Sequence, residues 1–158
     1  MRLILILFIG ASLFAQSYKF DEYKFVFAAN QEFKKSGNIS FDGNKTIITY
    51  DEPQHKQIVT DGVNVTVEGS SGKIYTLKGK ARFYTNQFIE LMTKIDEFKE
   101  LKTNRDFNVK KEKEKYTLSF NGEIQDQVPH AEVIVKQSKV ISFKLFMKND
   151  DTLEIVKR

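Results

Sequence analysis

His55 and His130 are the side chains best suited to act as a general base or a metal ligand near neutral pH. Each lies beside a proline turn, at Pro53 and Pro129. Neither belongs to a ligand or triad spacing, so both read as loop residues. The chain has no cysteine, which excludes a thiol nucleophile, a thiolate metal site and any disulfide. No glycine-rich phosphate loop and no nucleophile elbow occurs. Acidic residues are scattered, with no pair at a spacing suited to acid–base work. Asp61 is the most tempting single carboxylate, but Asp61-Gly62 is a turn dipeptide and that accounts for it fully. The expectation is a binding protein, not an enzyme, with no metal and no cofactor.

What the sequence supplies in excess is aromatic bulk, with 14 Phe and no Trp among 158 residues. Side chains of that size either fill a core or line a cavity. An apolar cavity accepts acyl chains without special chemistry, since each methylene moved out of water contributes about 0.8 kcal/mol. Polar groups at its rim would set the orientation of the guest.

The opening MRLILILFIGASLFAQS has the form of a secretory signal peptide. Arg2 precedes an apolar run from Leu3 to Ile9, small residues follow, and cleavage is expected near Ala15. The run is shorter than the roughly 20 apolar residues a membrane-spanning helix needs. Gln16 stands where a lipoprotein would require Cys. Residues 1–15 are thus read as the leader and residues 16–158 as a single domain. Loss of Arg2 leaves 24 of the 25 basic residues against 21 acidic ones, a mild net charge of +3. The densest charged run, KKEKEK at residues 110–115, carries both signs. It reads as a solvated hairpin end rather than a nucleic-acid surface.

The elements that must position any cavity are mostly short strands. Alternation of Tyr23, Phe25, Phe27, Ala29, Gln31 and Phe33 predicts one long strand, followed by a turn at Gly37. Ile39 and Phe41 alternate before an Asp42-Gly43-Asn44 hairpin, and the TIITY run of residues 46–50 suits a pleated surface. Pro53 lacks a backbone N–H and ends that strand; residues 57–60 return, and Asp61-Gly62 turns again. Further strands are predicted around Val63–Val67, 73–77, 107–109, 116–120, 133–136, 140–147 and 153–157. The period changes once. From Asn86 to Phe98 the apolar residues Phe88, Ile89, Leu91, Met92, Ile95 and Phe98 form one helical stripe, with Thr85 or Asn86 as a cap. That helix is either packed on the sheet as ordinary core or laid as a lid across an open barrel mouth.

Ten or eleven antiparallel strands with close connections curl rather than lie flat, because a flat sheet would expose long edges. The fold class is therefore mainly β (α+β): an incomplete antiparallel β-barrel, or strongly curved sheet, with a helical lid. The expected concave lining is Phe25, Phe27, Ile39, Phe41, Ile48 and Tyr50 from the first strands. Phe88, Leu91, Met92 and Ile95 would form the lid stripe. Successive strand residues face opposite ways, so a one-residue register change would reassign the strand positions.

Several of these stretches together carry a resemblance. They are FAANQEF (27–33), SGNISF (36–41), TIITY (46–50), Pro53, QIVTDG (57–62), VNVTV (63–67) and the closing VIVKQSKVISFKLFMKNDDTLEIVK. In order and spacing they resemble the outer-membrane lipoprotein carrier (LolA) family over most of residues 23–157. The resemblance implies a periplasmic carrier whose apolar concave face holds the acyl chains of lipoproteins. It would take cargo from an inner-membrane lipoprotein release complex and pass it to an outer-membrane acceptor, as a monomer and without nucleic acid. A non-catalytic, lipid-sensing envelope scaffold on the same fold is the alternative. Where the family carries Arg near the first hairpin and Trp on the aromatic strand, this chain has Phe41-Asp42-Gly43-Asn44-Lys45 and Ile48. No gating residue is assigned from the family.

Overall fold

The computed structural model describes residues 17–96, 102, 103, 105 and 107–158; the expected leader, residues 1–15, lies outside them. Strands β1 (Tyr18–Val26), β2 (Gln31–Asp42), β3 (Lys45–Glu52), β4 (Lys56–Thr60), β5 (Val65–Glu68) and β6 (Ile74–Thr76) run as a meander. Helix α1 (Gly79–Asp96) comes next in the chain. A second meander follows: β7 (Phe107–Glu112), β8 (Lys115–Phe120), β9 (His130–Lys136), β10 (Lys139–Phe146) and β11 (Thr152–Lys157). Pairing of β1 with β11 joins the two meanders into one antiparallel sheet of 11 strands, ordered β6-β5-β4-β3-β2-β1-β11-β10-β9-β8-β7. The first and last strands thus meet in the middle. The sheet is curved but not closed, and α1 lies in the chain between its two edge strands.

The register sets one apolar face. Tyr18, Ile39, Ile48, Ile58 and Val67 are successive cross-strand partners over β1 to β5, and all are buried. Ile155, Phe143, Val133 and Tyr116 form the matching row on the other half. Cross-strand neighbours lie about 5 Å apart, so each row is a continuous apolar ridge. Helix α1 covers this concave face with Ile89 and Met92, both buried. The Tyr18 hydroxyl donates to the Met92 carbonyl at 2.8 Å, fixing the helix to the first strand.

Turn chemistry follows the sequence closely at most corners. Gly43 (φ 59°) closes β2–β3, Lys113 (φ 55°) lies in the KKEKEK hairpin, and Gln137 and Ser138 (φ 50° and 61°) close β9–β10. The Asp61 carboxylate accepts the backbone N–H groups of Val63 and Asn64 at 2.9 and 2.7 Å and the Asn64 amide at 3.2 Å. Those donors hold its pKa down to about 2.

Three local expectations are corrected. The run Tyr23–Phe33 is not one strand: β1 ends at Val26, Phe27–Ala29 form a 3₁₀ turn, and β2 starts at Gln31. Asn30 adopts the left-handed conformation (φ 47°) and its N–H bonds to the Phe27 carbonyl at 3.0 Å, so an asparagine turn outweighs the alternation. Gly37 is no turn either. It sits mid-strand at a β-bulge, where a Cβ would collide with the Thr49 carbonyl oxygen and press on the Phe20 ring. Finally, α1 begins at Gly79 rather than near Asn86. The Asn86 side chain does not cap a helix start, because its Oδ1 accepts from the Thr60 hydroxyl at 2.6 Å.

Candidate functional site: an apolar cavity beneath α1

Core packing between α1 and the sheet is not uniform. Around Ile39, Ile48 and Met92 the side chains are fully buried. Toward β10 and β11 the helix and the sheet leave a cavity of about 620 Å³. Such a volume is within the range of about 300–1,000 Å³ that small-molecule sites occupy.

Its floor follows from strand alternation. On β10 and β11 the inward set includes Phe143, Leu145, Leu153 and Ile155, and Leu145 and Leu153 reach the cavity. Phe120 closes it from β8 and Ile58 from β4. The roof is Phe88 of α1, whose ring centroid lies 6.1 Å from that of Phe143.

Two connecting loops form the remaining wall. A 3₁₀ turn at Gly122–Ile124 places Ile124 against the cavity. The Val128 N–H then bonds back to the Ile124 carbonyl at 2.8 Å, which brings Val128 into the lining. The Lys148 N–H donates to the Gln127 carbonyl at 3.0 Å and ties this loop to the β10–β11 turn. That turn is itself held by Asp151, whose carboxylate accepts the Phe27 N–H at 2.9 Å and the Asn149 amide at 3.0 Å. The polar members of the lining are Thr85 and Gln87 on α1, Asp126, Gln127, Lys148 and Asn149 on the loops, and the phenol of Tyr84. The arrangement can bury an apolar chain and offers charge of both signs beside it.

The expected site residues fall in different places. Phe88 lines the cavity. Ile39, Ile48, Tyr50 and Met92 belong to the buried core, and Phe41 is half-buried against it. Phe25 pairs with Glu32 and Thr152, which puts it on the convex face, half-buried. Phe27 is 59% exposed, in the turn after β1. Leu91 and Ile95 lie on α1, but their side chains are outside the described residues. Leu145, Leu153, Val128 and Ile124 were not anticipated. The alternation of Phe143, Leu145 and Met147 was a usable signal for the first of these. The loop residues had none, because the backbone turn at Gly122–Ile124 decides their direction.

His130 stacks on Phe146, with ring centroids 4.3 Å apart and planes 13° from parallel. His55 is exposed. Among the described residues no group of three His, Cys, Asp or Glu side chains could hold a metal ion.

A second, polar feature occupies the same concave face at the β2–β6 side. The Tyr50 hydroxyl donates to Glu22 Oε2 at 2.6 Å. Lys35 Nζ lies 3.9 Å from Glu22 Oε1 and 5.5 Å from the Tyr50 ring centroid. Burial, then the Glu22 charge and hydrogen bond, pushes the Tyr50 pKa well up.

No protein-family model matches the chain, and no curated relative does. Solved structures do overlap it. One is a DUF1329 family protein from Desulfovibrio piger, with a TM-score of 0.45 and 10% identity over 90% of this chain and 82% of that one. Another is an outer membrane lipoprotein-sorting protein domain from Vibrio parahaemolyticus, with a TM-score of 0.39 and 7% identity over 89% and 82% of the two chains. Scores this low leave the functional reading to the cavity itself.

Proposed function

We propose that this chain is a non-catalytic carrier of acylated cargo in the bacterial envelope, a periplasmic protein that shields lipoprotein acyl chains between the inner and outer membranes. The observation that carries the reading is the cavity of about 620 Å³ between α1 and the concave face, walled by Phe88, Leu145, Leu153, Ile58 and Val128. Ten methylenes placed there would contribute about 8 kcal/mol gross, the scale of a micromolar complex before ordering costs are subtracted. No catalytic group is needed for that work. An inner-membrane release complex would load the cavity and an outer-membrane acceptor would empty it, with the chain acting as a monomer.

The test is size-exclusion chromatography with a triacylated lipopeptide and its deacylated counterpart. The acylated peptide should co-elute with the protein at a one-to-one ratio while the deacylated peptide runs free. Equal behaviour of the two peptides, with the protein folded and monodisperse, would reject acyl recognition and favour the scaffold role.

A further inference from the structure

The apolar cavity is not the only recess on the concave face. A smaller one, of about 200 Å³, lies where β3, β4 and β5 meet the Gly69-Ser70 turn. Its walls include Lys35, Tyr50, Lys56 and Ser70, with His55 at the side. It holds several waters' worth of space, too little for a drug-sized ligand and enough for a small ion or headgroup.

Its charges are unequally matched. Glu22 is the buried carboxylate of this region, and it accepts the Tyr50 hydroxyl besides lying 3.9 Å from Lys35. Lys56 is half-buried and forms no ion pair among the described residues. Burial, and after it the like charge of Lys35, lowers its pKa, and Glu22 offsets this in part. Two ammonium groups therefore face one spoken-for carboxylate. A desolvated ammonium without a partner is costly, and the cost falls when an anion arrives. The Tyr50 proton is already committed to Glu22; the lining side chains able to donate to a guest include Lys35, Lys56 and Ser70, beside Gln54, His55 and Tyr75.

We propose that this recess is a phosphate-binding site, with Lys35 and Lys56 as the charged contacts and Ser70 as a neutral donor. Lysine ammonium groups are compact, movable point charges, a form in which lysine binds phosphate oxyanions. The site takes either free phosphate or the phosphate of a lipid headgroup. Lys56 is two residues before Ile58 on the same face of β4, and Ile58 borders the apolar cavity. The site stands on its own geometry and does not require the carrier reading.

The experiment is an amide-NMR titration of the full chain with inorganic phosphate at low ionic strength, with sodium chloride as the ionic control. Saturable shifts should centre on Lys56, Ser70 and Tyr75, and chloride should not reproduce them. Lys56→Gln and, separately, Lys35→Gln should each weaken binding at least tenfold, with thermal melts confirming that each variant folds. Shifts that never saturate, or equal affinity in native chain and both variants, would overturn the site. Hexyl phosphate separates the sources. Binding at least tenfold tighter than inorganic phosphate marks a lipid headgroup, and equal binding marks the free ion. Phosphate binding with no uptake of acylated peptide would keep this site and reject the carrier reading.

Discussion

Substituting Val128→Phe tests whether the space beneath α1 is open. Val128 is half-buried, borders the cavity and is anchored by its N–H bond to the Ile124 carbonyl at 2.8 Å. In a close-packed core, the larger ring would force strain costing about 1–3 kcal/mol. Here it can enter a volume of about 620 Å³. The added carbons, about four, then bury apolar surface and leave stability unchanged or raise it, while displacing a similar number of ligand methylenes. At about 0.8 kcal/mol each, that loss is about 3 kcal/mol, or roughly two hundredfold in affinity at about 1.4 kcal/mol per decade. Urea denaturation reads the first quantity, and displacement of a fluorescent fatty-acid probe reads the second. Loss of 1–3 kcal/mol of stability together with unchanged probe affinity would refute the reasoning, because the space would then be neither open nor the place where acyl chains bind.

Other outcomes follow from the same structure. Ile48→Ala, in the packed part of the core, should cost about 2–5 kcal/mol in denaturant while the folded fraction keeps its probe affinity. Tyr50→Phe removes the donor that reaches buried Glu22 at 2.6 Å and should cost about 1–3 kcal/mol in urea denaturation at pH 7. Asp61 should titrate near 2 by NMR. Its folded pKa lies below the ordinary value of 3.8, so its contribution to stability is present above that value and disappears as pH falls toward 2. A measured Asp61 pKa near 4 would mean that the three hydrogen bonds at its turn do not persist in solution.

Much of the architecture was legible because its signals are local. The β-branched and aromatic run at Thr46–Tyr50, the strand at Tyr116–Phe120, Pro53 between β3 and β4, and the Asp61 turn all required nothing beyond their neighbours. The fold class followed from their number. What was not legible depends on partners far away in sequence. The break after Val26 rests on Asn30 and on the Phe27 N–H reaching Asp151. The need for Gly37 comes from the Thr49 carbonyl across the bulge. The start of α1 at Gly79 is hidden because its first turns, Gly79-Lys80-Ala81-Arg82, carry little apolar periodicity. For the cavity, alternation identifies which residues share a face but not where a face is packed and where it is hollow. Ile39, Ile48 and Leu145 all lie on the concave face, yet only Leu145 borders the open space. That difference depends on where α1 crosses and how the loop at residues 121–129 folds back.

The measurement that bears most directly on the central claim is lipid mass spectrometry of the gently purified native chain, beside a parallel preparation of Val128→Phe. Acyl species in one-to-one ratio with the native chain, and depleted from the variant, are the predicted result. A native chain free of acyl species, with a cavity that excludes fatty-acid probes in solution, would contradict the account.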